Sequence, residues 1–382
     1  MKKSQFIVFL TIVLSVYTLV NYYIYITGLN SLPPGLKTVY SFIFLFLFLS
    51  YIAGRFLERK FLNSLSAFFV WVGSFWLAAM VYFLFFTVLI DLAQLVNLIF
   101  KIFPGNFYSE KNNFLFFIAV NSAVFLIVAA GFINAKSPAL KTIKLAINKP
   151  AGKLKTLKIA AASDLHLGTI INRGRLKDIV EKINLLNPDI ILLPGDIVDE
   201  DIGPVIKQNA GELLRELSSK YGVYAVTGNH EYIGGVEPAV KYLQEHGIKV
   251  LRDEVLLIEN SFYIAGREDR SSRGFAGIKR KSLHEILSGL NSSLPVILMD
   301  HQPAKLNEAE ENGVDLQLSG HTHHGQLWPF NYITKKVYEV SRGYKQKGNT
   351  HYYISSGAGT WGPPVRTGSR PEILLIEISF KG

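Results

Sequence analysis

Seven residues near the C-terminal end of the sequence combine histidine and glycine in a pattern typical of metal binding. Residues 320–326 read Gly-His-Thr-His-His-Gly-Gln and follow an alternating apolar run, 314–318, that predicts a strand. On extended backbone, side chains two residues apart point to the same side, so His321 and His323 are predicted to share one metal centre and His324 to point away. Imidazole is a common ligand of zinc, manganese and iron. A lone His-x-His pair is a weak signal, so its interpretation depends on the residues upstream.

Four more polar clusters follow predicted strands at 158–162, 190–193, 223–226 and 296–299. They contain Asp164 and His166, Asp196 and Asp199, Asn229 with His230 and Glu231, and His301. Residues just beyond the carboxyl ends of sheet strands converge on one rim, where α/β sheets bind their ligands. The five clusters together therefore predict one site.

Strands and helices alternate through the last 230 residues or so, which predicts an α/β domain with a largely buried sheet. Further strands are predicted at 263–265, 316–318, 352–354 and 373–378. Helices are predicted at 175–186, 205–218, 237–246, 282–290 and 304–311.

Taken in order, the motifs Asp-x-His, Gly-Asp-x-x-Asp, Gly-Asn-His-Glu, a single His and Gly-His-x-His resemble the signature of the calcineurin-like metallophosphoesterases. The resemblance covers residues 158–378 and extends to a membrane-anchored bacterial subgroup with N-terminal spans. It implies an α/β sandwich of two mixed sheets flanked by helices. It also implies a metal-dependent hydrolase of phosphoric esters or diphosphates.

The resemblance further implies two divalent metal ions held by seven residues. Those matching the ligands of the first metal are Asp164, His166 and His323, with Asp196 bridging both metals and Asn229, His301 and His321 on the second. Asp164 and His166, two apart on a chain taken as extended, could bind one metal through one face. A mixed nitrogen and oxygen set favours manganese, iron or zinc over calcium, with magnesium a poorer match.

Two metals about 4 Å apart can lower the pKa of a bridging water, whose hydroxide would attack the phosphorus in line. His230 is not assigned to a metal and is predicted to act as the general acid for the leaving group, a role that the resemblance also implies. Asp199 and Glu231 are predicted to orient His230 or the ligands. Capping or loop hydrogen bonding is an equally good interpretation of these two carboxylates.

Three further residues are candidates for substrate contact. Arg366 and Arg370 lie in the Gly/Pro-rich loop 355–371 and could bind a phosphate, although surface arginines are commoner than phosphate clamps. His324 stands where the family commonly has glycine. This difference predicts either a backbone conformation that glycine adopts more easily or an imidazole at the substrate mouth.

The first 150 residues contain only three acidic residues and no histidine, so they differ in kind from the rest. Four apolar stretches, near 6–26, 39–54, 65–90 and 114–133, approach the roughly 20 residues that a membrane-spanning helix needs. After Asp91, residues 92–103 predict a helix lying at the interface. The resulting domain prediction is a four-helix transmembrane region at 1–134, a basic linker at 135–157 and a metallophosphoesterase domain at 158–382.

Basic residues predict the orientation of these spans. With the N-terminus inside, nine lysines and arginines flank the spans on the inner side and three on the outer side, which places the C-terminal domain in the cytoplasm. The inner set is Lys2, Lys3, Arg55, Arg59, Lys60, Lys136, Lys141, Lys144 and Lys149, and the outer set is Lys37, Lys101 and Lys111. The first stretch could instead be a signal peptide, because Lys2 and Lys3 precede its apolar core.

The net charge of +10 is explained by this topology, and no nucleic-acid partner is expected. The absence of cysteine excludes disulfides and thiolate sites. The sequence therefore predicts a multi-pass phosphohydrolase of the cell membrane, acting on a phosphate-containing small molecule or a lipid-linked substrate. One example is the pyrophosphate of a nucleotide-activated acylated sugar, which some relatives handle. The alternative is a catalytically silent membrane sensor or scaffold, whereas a transporter would need more polar residues within the spans.

Overall fold

The structure is a computed structural model that describes residues 3–104 and 109–381. Its contacts divide the chain into two compact units. The first consists of the residues up to Phe132 together with Gly362–Val365, and the second begins at Ile133 and contains the rest. Lys2, one of the basic residues used to predict the orientation, lies outside the described residues.

The first unit is built from long helices, α1 (Lys3–Asn30), α2 (Pro34–Lys60), α3 (Ser64–Phe100) and most of α4 (Glu110–Lys136). Among the described residues, these four are long and apolar enough to cross a membrane. Local sequence sets where they begin. Pro34 opens α2, and the Asn63 side chain accepts a hydrogen bond from the backbone N–H of Ser66 at the start of α3.

Most of the segment 92–103, predicted to be a helix lying at the interface, belongs to α3. Helix α3 continues through Asp91 to Phe100 as one helix of 37 residues, so residues 92–100 are not a separate interfacial helix. No glycine or proline occurs between Gly73 and Lys101 that would interrupt the backbone hydrogen bonding. A single aspartate within an apolar stretch is too weak a signal to define a separate helix.

The second unit contains two six-stranded sheets. The first has the order β1 (Ala139–Ile147), β12 (Glu372–Phe380), β2 (Thr156–Ala161), β3 (Ile190–Pro194), β4 (Val223–Val226), β5 (Ile248–Val250). The second has the order β10 (Gly343–Lys347), β11 (Thr350–Ile354), β9 (Leu316–Ser319), β8 (Val296–Met299), β7 (Phe262–Gly266), β6 (Glu254–Ile258). Strands β2 to β5 pair in parallel, and so do β7, β8, β9 and β11 in the second sheet.

Both sheets are mixed, because β12 pairs antiparallel with β2 and the hairpins β6–β7 and β10–β11 close the second sheet. One apolar core includes fully buried residues from both sheets, among them Ile159, Ile190, Ile264 and Ile297. The predicted sandwich of two mixed sheets flanked by helices is confirmed. Its helices are α5 (Arg173–Leu185), α6 (Gly203–Lys207), α7 (Ala210–Arg215), α8 (Asn229–Gly234), α9 (Val236–Glu245), α10 (Ser272–Phe275), α11 (Leu283–Leu287), α12 (Asn307–Glu311) and α13 (Phe330–Val337).

Nine residues of the segment predicted as a basic linker form a strand. β1 runs parallel to β12 over nine residue pairs, from Ala139 opposite Glu372 to Ile147 opposite Phe380. Its lysines hid this strand, because Lys141 lies on the same face as the buried Leu145 and Ile147 and so interrupts the apolar alternation. Lys141 pairs with the buried Glu372 at 2.9 Å.

Other differences have similarly local causes. The helix predicted at 205–218 is two short helices, α6 and α7, because Asn209 between them has a left-handed backbone with φ of 49°. β5 is only three residues long, and β10 is mostly polar, so neither shows an apolar pattern.

Candidate metal centre

Five loops that follow β2, β3, β4, β8 and β9 bring together all seven predicted metal ligands. The loops leave the carboxyl ends of strands in both sheets, so the site lies at the end of the sandwich where these strands finish. Of the ligands, Asp164, His166, Asp196, His301 and His323 are buried.

The first group consists of Asp164, His166 and His323, whose ligand atoms all lie within 4.8 Å of one another. The two Nε2 atoms of His166 and His323 are 3.0 Å apart, and His323 Nε2 is 3.7 Å from Asp164 Oδ1. The second group consists of Asp196, His301 and His321, whose ligand atoms also lie within 4.8 Å of one another. Asn229 joins the second group, because its Oδ1 lies 2.8 Å from His321 Nδ1 and 3.3 Å from His301 Nε2.

Asp196 lies between the two groups. Its Oδ1 accepts the backbone N–H of His230 at 2.9 Å, which leaves Oδ2 toward the histidines. Asp196 Oδ2 is 3.1 Å from His301 Nε2 in the second group and 3.8 Å from His166 Nε2 in the first. One carboxylate oxygen is thus shared by both sets of nitrogen atoms.

The hydrogen bonding of His301 fits the binding of a cation. Its Nδ1 lies 2.8 Å from the carbonyl oxygen of Pro194, which can only accept, so Nδ1 carries the proton. In a neutral ring, Nε2 would present a lone pair toward two oxygens, Asp196 Oδ2 and Asn229 Oδ1. Such electron-rich atoms are stable together only with a proton or a metal cation between them. Burial opposes protonation of His301, but the charge of Asp196 outweighs it and raises the pKa of the imidazole well above its usual value, so without a metal Nε2 carries a second proton.

The charges of the second group agree with this fit. Burial disfavours the charged form of Asp196, but the neighbouring His301 outweighs it and holds the pKa of the carboxyl well below its usual range. Burial lowers the pKa of His321 to about 4, helped by the charge of His301. His321 is therefore neutral at pH 7 and has a lone pair for a metal.

In the first group, a proton occupies the place that a cation would take. Arg366 donates to His323 Nδ1 at 2.8 Å, so the proton of the neutral ring lies on Nε2, facing His166 Nε2. A ligand histidine must be deprotonated at the metal-binding nitrogen, so binding through Nε2 would require the other neutral tautomer, with the proton on Nδ1 and without the hydrogen bond from Arg366.

The prediction that Asp164, His166, His321 and His323 lie on extended backbone is wrong. Asp164 (φ 52°), His166 (50°), Asp196 (51°), His321 (70°) and His323 (45°) all have left-handed backbone, and His323 opens a 3-10 turn, His323–Gly325. For residues with a side chain, this conformation costs about 1–2 kcal/mol each. The tight packing of the loops maintains it, and strain of this kind is concentrated at functional sites.

Two glycines let the loops approach one another. A Cβ on Gly228 would overlap Oδ1 of Asp196, and one on Gly320 would overlap Oδ2 of Asp164. Neither glycine has a positive φ, so close approach rather than backbone conformation requires glycine there. The glycines of the Gly-Asn-His-Glu and Gly-His-x-His motifs thus make room for the carboxylates.

His230 lies in the first turn of α8, beside the metal groups. Its Nδ1 is 3.0 Å from Asp199 Oδ1, and its ring meets that of His166 edge-on with centroids 4.5 Å apart. Burial opposes protonation of His230, but the interaction with Asp199 and the charge of Asp196 outweigh it and raise the pKa of the imidazole to about 9. His166, Asp199 and His230 also lie close enough to form a third group of candidate ligands.

Glu231 connects two of the loops. Its Oε1 accepts the backbone N–H groups of Ile197 and Val198 at 2.7 and 2.8 Å, and its Oε2 accepts that of Gly228 at 2.7 Å. The carboxylate therefore fixes the backbone that carries Asp196. This is the loop hydrogen bonding that the sequence left open as an alternative, whereas Asp199 is the carboxylate that faces His230.

The predicted contact of Arg366 with substrate is contradicted by its position. The side chain is fully buried, and all five of its N–H groups are used. Their acceptors are Gly359 O for both Nε and Nη2, Ser356 O and Ser369 Oγ for Nη1, and His323 Nδ1 for Nη2. Arg366 instead holds loop 355–370 against a predicted metal ligand, because no donor remains for a phosphate.

We expect Arg366→Met to destabilise the second unit by about 3 kcal/mol or more, because it leaves buried acceptors without donors. Thermal unfolding of the full chain in detergent measures this loss. Arg370→Ala is the matched control. Arg370 is exposed, so its replacement should change stability by about 0.5 kcal/mol at most. Equal unfolding temperatures for both variants would contradict the structural role of Arg366.

His324 has a φ of 50°, which is the left-handed conformation that glycine adopts more easily. The first of the two predictions for this position is therefore confirmed. Its side chain is buried, and Nδ1 lies 3.0 Å from Ser341 Oγ. Substrate contact by His324 and by Arg370 stays a prediction.

The sequence did not indicate several neighbours of the site. Ser163 Oγ hydrogen-bonds Asp164 Oδ2, the Trp361 ring lies 5.8 Å from that of His230, and the Tyr338 ring lies 6.2 Å from that of His321. Ser163 is adjacent to a predicted ligand and could have been included for that reason. The two aromatic residues had no local signal, because only the folding of distant segments brings them to the site.

Comparison with known proteins agrees with this geometry. The family described as calcineurin-like phosphoesterase matches residues 157–325. An uncharacterized metallophosphoesterase of Aquifex aeolicus is 34% identical over 268 residues, covering 70% of this chain and 99% of the relative. Another, of Campylobacter jejuni, is 30% identical over 391 residues, covering 98% of this chain and 99% of the relative.

A third relative is a transmembrane protein with metallophosphoesterase domain from Danio rerio. It is 31% identical over 259 residues, which cover 64% of this chain and 59% of the relative. The match with the Campylobacter protein includes the apolar helices as well as the sandwich. On these similarities, the chain belongs to the calcineurin-like metallophosphoesterase family.

Proposed function

We propose that the chain is a membrane-anchored phosphohydrolase that uses two divalent metal ions. The observation that carries the proposal is the position of Asp196 Oδ2 between His301 and His166, which belong to different ligand groups. The first ion would be held by Asp164, His166 and His323, the second by Asn229, His301 and His321, with Asp196 common to both. Manganese, iron or zinc suits this set of nitrogen and oxygen donors.

When bound, a pair of divalent ions supplies Lewis-acid charge for a phosphoryl group and lowers the pKa of water. The chain's own residues supply position and a proton. Glu231 fixes the loop that carries Asp196, and Arg366 holds His323 from the opposite side. In this proposal, the ligands are oriented by the protein before the substrate arrives.

His230 is proposed to donate the proton to the leaving group. Asp199 faces its Nδ1, so Nε2 is the nitrogen that can deliver a proton to an alkoxide or phosphate. Asp199 would keep the ring in the tautomer and orientation that this transfer needs, as a carboxylate does for other catalytic histidines.

The substrate is proposed to be a phosphate ester or pyrophosphate carried by a lipid. The four apolar helices and the relative named as a transmembrane protein support membrane attachment. Nine lysines and arginines flank the predicted spans on the inner side and three on the outer side, and this difference supports a cytoplasmic location of the sandwich. We propose that residues 1–134 form the anchor and that β1 belongs with residues 158–382 in the catalytic domain.

A substrate comparison tests this proposal. Full chain in lipid nanodiscs with manganese should hydrolyse a lipid pyrophosphate in the disc faster than bis(4-nitrophenyl) phosphate in solution. Fast hydrolysis of the soluble diester without hydrolysis of the lipid would contradict the proposed lipid substrate, but it would still support phosphohydrolase activity. If wild type and Asp196→Asn turned over neither compound, the silent sensor or scaffold would be favoured.

A further inference from the structure

Helix α13 presents an apolar face to solvent. Phe330, Ile333 and Val337 follow the spacing i, i+3, i+7 and therefore form one stripe of the helix, with 41%, 61% and 68% of each residue exposed. The polar residues Asn331 and Thr334 are less exposed than this stripe. None of the eight residues of α13 is buried. The usual arrangement of a surface helix, with apolar residues inward and polar residues outward, is thus reversed.

The residues around the stripe have the chemistry of a membrane interface. Lys336 lies directly beside the stripe, and Tyr332, which is 61% exposed, and Lys335 follow it around the exposed side of the helix. Aromatic rings suit the boundary between headgroups and acyl chains, and lysines suit anionic headgroups. An apolar face bordered by tyrosine and lysine is typical of helices that lie in this layer.

We propose that α13 lies in the interfacial layer of the same bilayer that the four apolar helices of the chain cross. Only Ser137 and Pro138 separate the end of α4 from β1, so the sandwich begins within about 10 Å of chain length from that helix. Such a short tether gives α13 a high effective concentration at the membrane, and a small apolar face is then sufficient for binding.

A protein partner fits α13 less well. A helix of eight residues is about 12 Å long. Stable protein interfaces bury about 800 Å² on each partner, which one such helix cannot supply. The bilayer needs no matching surface and requires only insertion to a shallow depth.

The position of α13 connects the interface to the metal centre. The backbone of Gly325, in the His323–Gly325 turn, packs so closely on the start of α13 that a Cβ there would lie 2.5 Å from Asn331 N. Just after the helix, the Tyr338 ring meets that of His321. Insertion of α13 would therefore bring the histidine loop to the level of lipid headgroups. The further step, that a phosphate at this level is the substrate, rests on the proposed function.

Site-directed spin labelling tests the location of α13 without measuring turnover. The chain has no cysteine, so Ile333→Cys gives a single labelling site in the full chain. The control is Leu257→Cys on β6, at a residue that is 43% exposed. Both labelled chains are reconstituted in vesicles of phosphatidylglycerol and phosphatidylethanolamine. Collisions of the label with oxygen, which concentrates in lipid, and with a water-soluble nickel chelate are then measured.

We expect a several-fold higher ratio of oxygen to nickel accessibility at position 333 than at position 257. Equal ratios would overturn the proposal. Shielding of position 333 from both reagents would also overturn it and would indicate a protein contact or a second copy of the chain. Val337→Cys on the same stripe provides a second measurement if Ile333→Cys does not fold. Because the label reports position alone, failure here is distinguishable from failure of the proposed phosphohydrolase activity.

Discussion

Replacing Asp196 by asparagine is expected to lower kcat/KM for phosphate hydrolysis about 10³-fold or more, because several kcal/mol of charge stabilisation is lost. The variant should nevertheless fold. Asparagine retains Oδ1, which accepts the backbone N–H of His230 at 2.9 Å. Its amide NH₂ replaces Oδ2 and can donate to the lone pair on His301 Nε2, 3.1 Å from that position. The exchange therefore removes a proposed metal ligand while it keeps the hydrogen bonds of the protein.

Steady-state kinetics of wild type and Asp196→Asn at saturating manganese measure this loss, and thermal unfolding in the presence of a chelator checks the fold. Asp189→Asn is a suitable control. Asp189 directly precedes β3, at the end of the strand opposite Asp196. The hydrogen bond described for its side chain is the one that Oδ2 accepts from the backbone N–H of Lys158 at 2.8 Å. Activity of Asp196→Asn within tenfold of wild type would mean that this carboxylate is not a shared ligand.

His230→Ala is expected to lower kcat about 10²–10⁴-fold for substrates with an alkoxide leaving group, because their departure requires a proton. For 4-nitrophenolate, which leaves without protonation, the loss should be much smaller. The structural reason is that Asp199 occupies Nδ1 of His230 and leaves Nε2 for the leaving group. Parallel assays with an alkyl and a 4-nitrophenyl ester of the same phosphate separate the two effects.

Asp199→Asn is expected to lower the rate less than His230→Ala does. It keeps an oxygen near His230 Nδ1 but removes the charge, so the expected loss is about 10–100-fold. Metal analysis completes the test, because His166, Asp199 and His230 could themselves form a metal group. Unchanged metal content in His230→Ala would support the role of His230 as the proton donor. Loss of a metal ion, or an equal loss of rate with both esters, would make His230 a ligand instead.

The sequence pattern predicted an α/β domain and the loops that carry the site for a simple physical reason, whereas the arrangement in two sheets was implied by the family resemblance. Buried parallel strands are short apolar runs, and the polar residues that follow them must come to the same edge. Asp164, Asp196 and His301 were located in this way and lie together in the structure. Local order along the chain was sufficient, because each loop begins where its strand ends.

What the sequence could not predict depends on contacts between distant segments. Arg366 looks like a surface arginine in a Gly/Pro-rich loop, and only the folded loop shows that all five N–H groups are satisfied inside the protein. β1 was hidden by its lysines, one of which pairs with Glu372 more than 200 residues away. The left-handed backbone of Asp164 and His166 has no signature in residue type, since neither is glycine. The reversed helix α13 can be recognised only when the face that packs on the protein is known.

The central claim is that Asp196 joins two metal sites, and the number of manganese ions bound per chain tests it most directly. Equilibrium dialysis of the full chain in detergent, followed by elemental analysis, gives this number for wild type and for Asp196→Asn. The account predicts two ions per wild-type chain and loss of binding at both sites in the variant, since one oxygen faces both groups. One ion per wild-type chain, or two ions in both proteins, would contradict it.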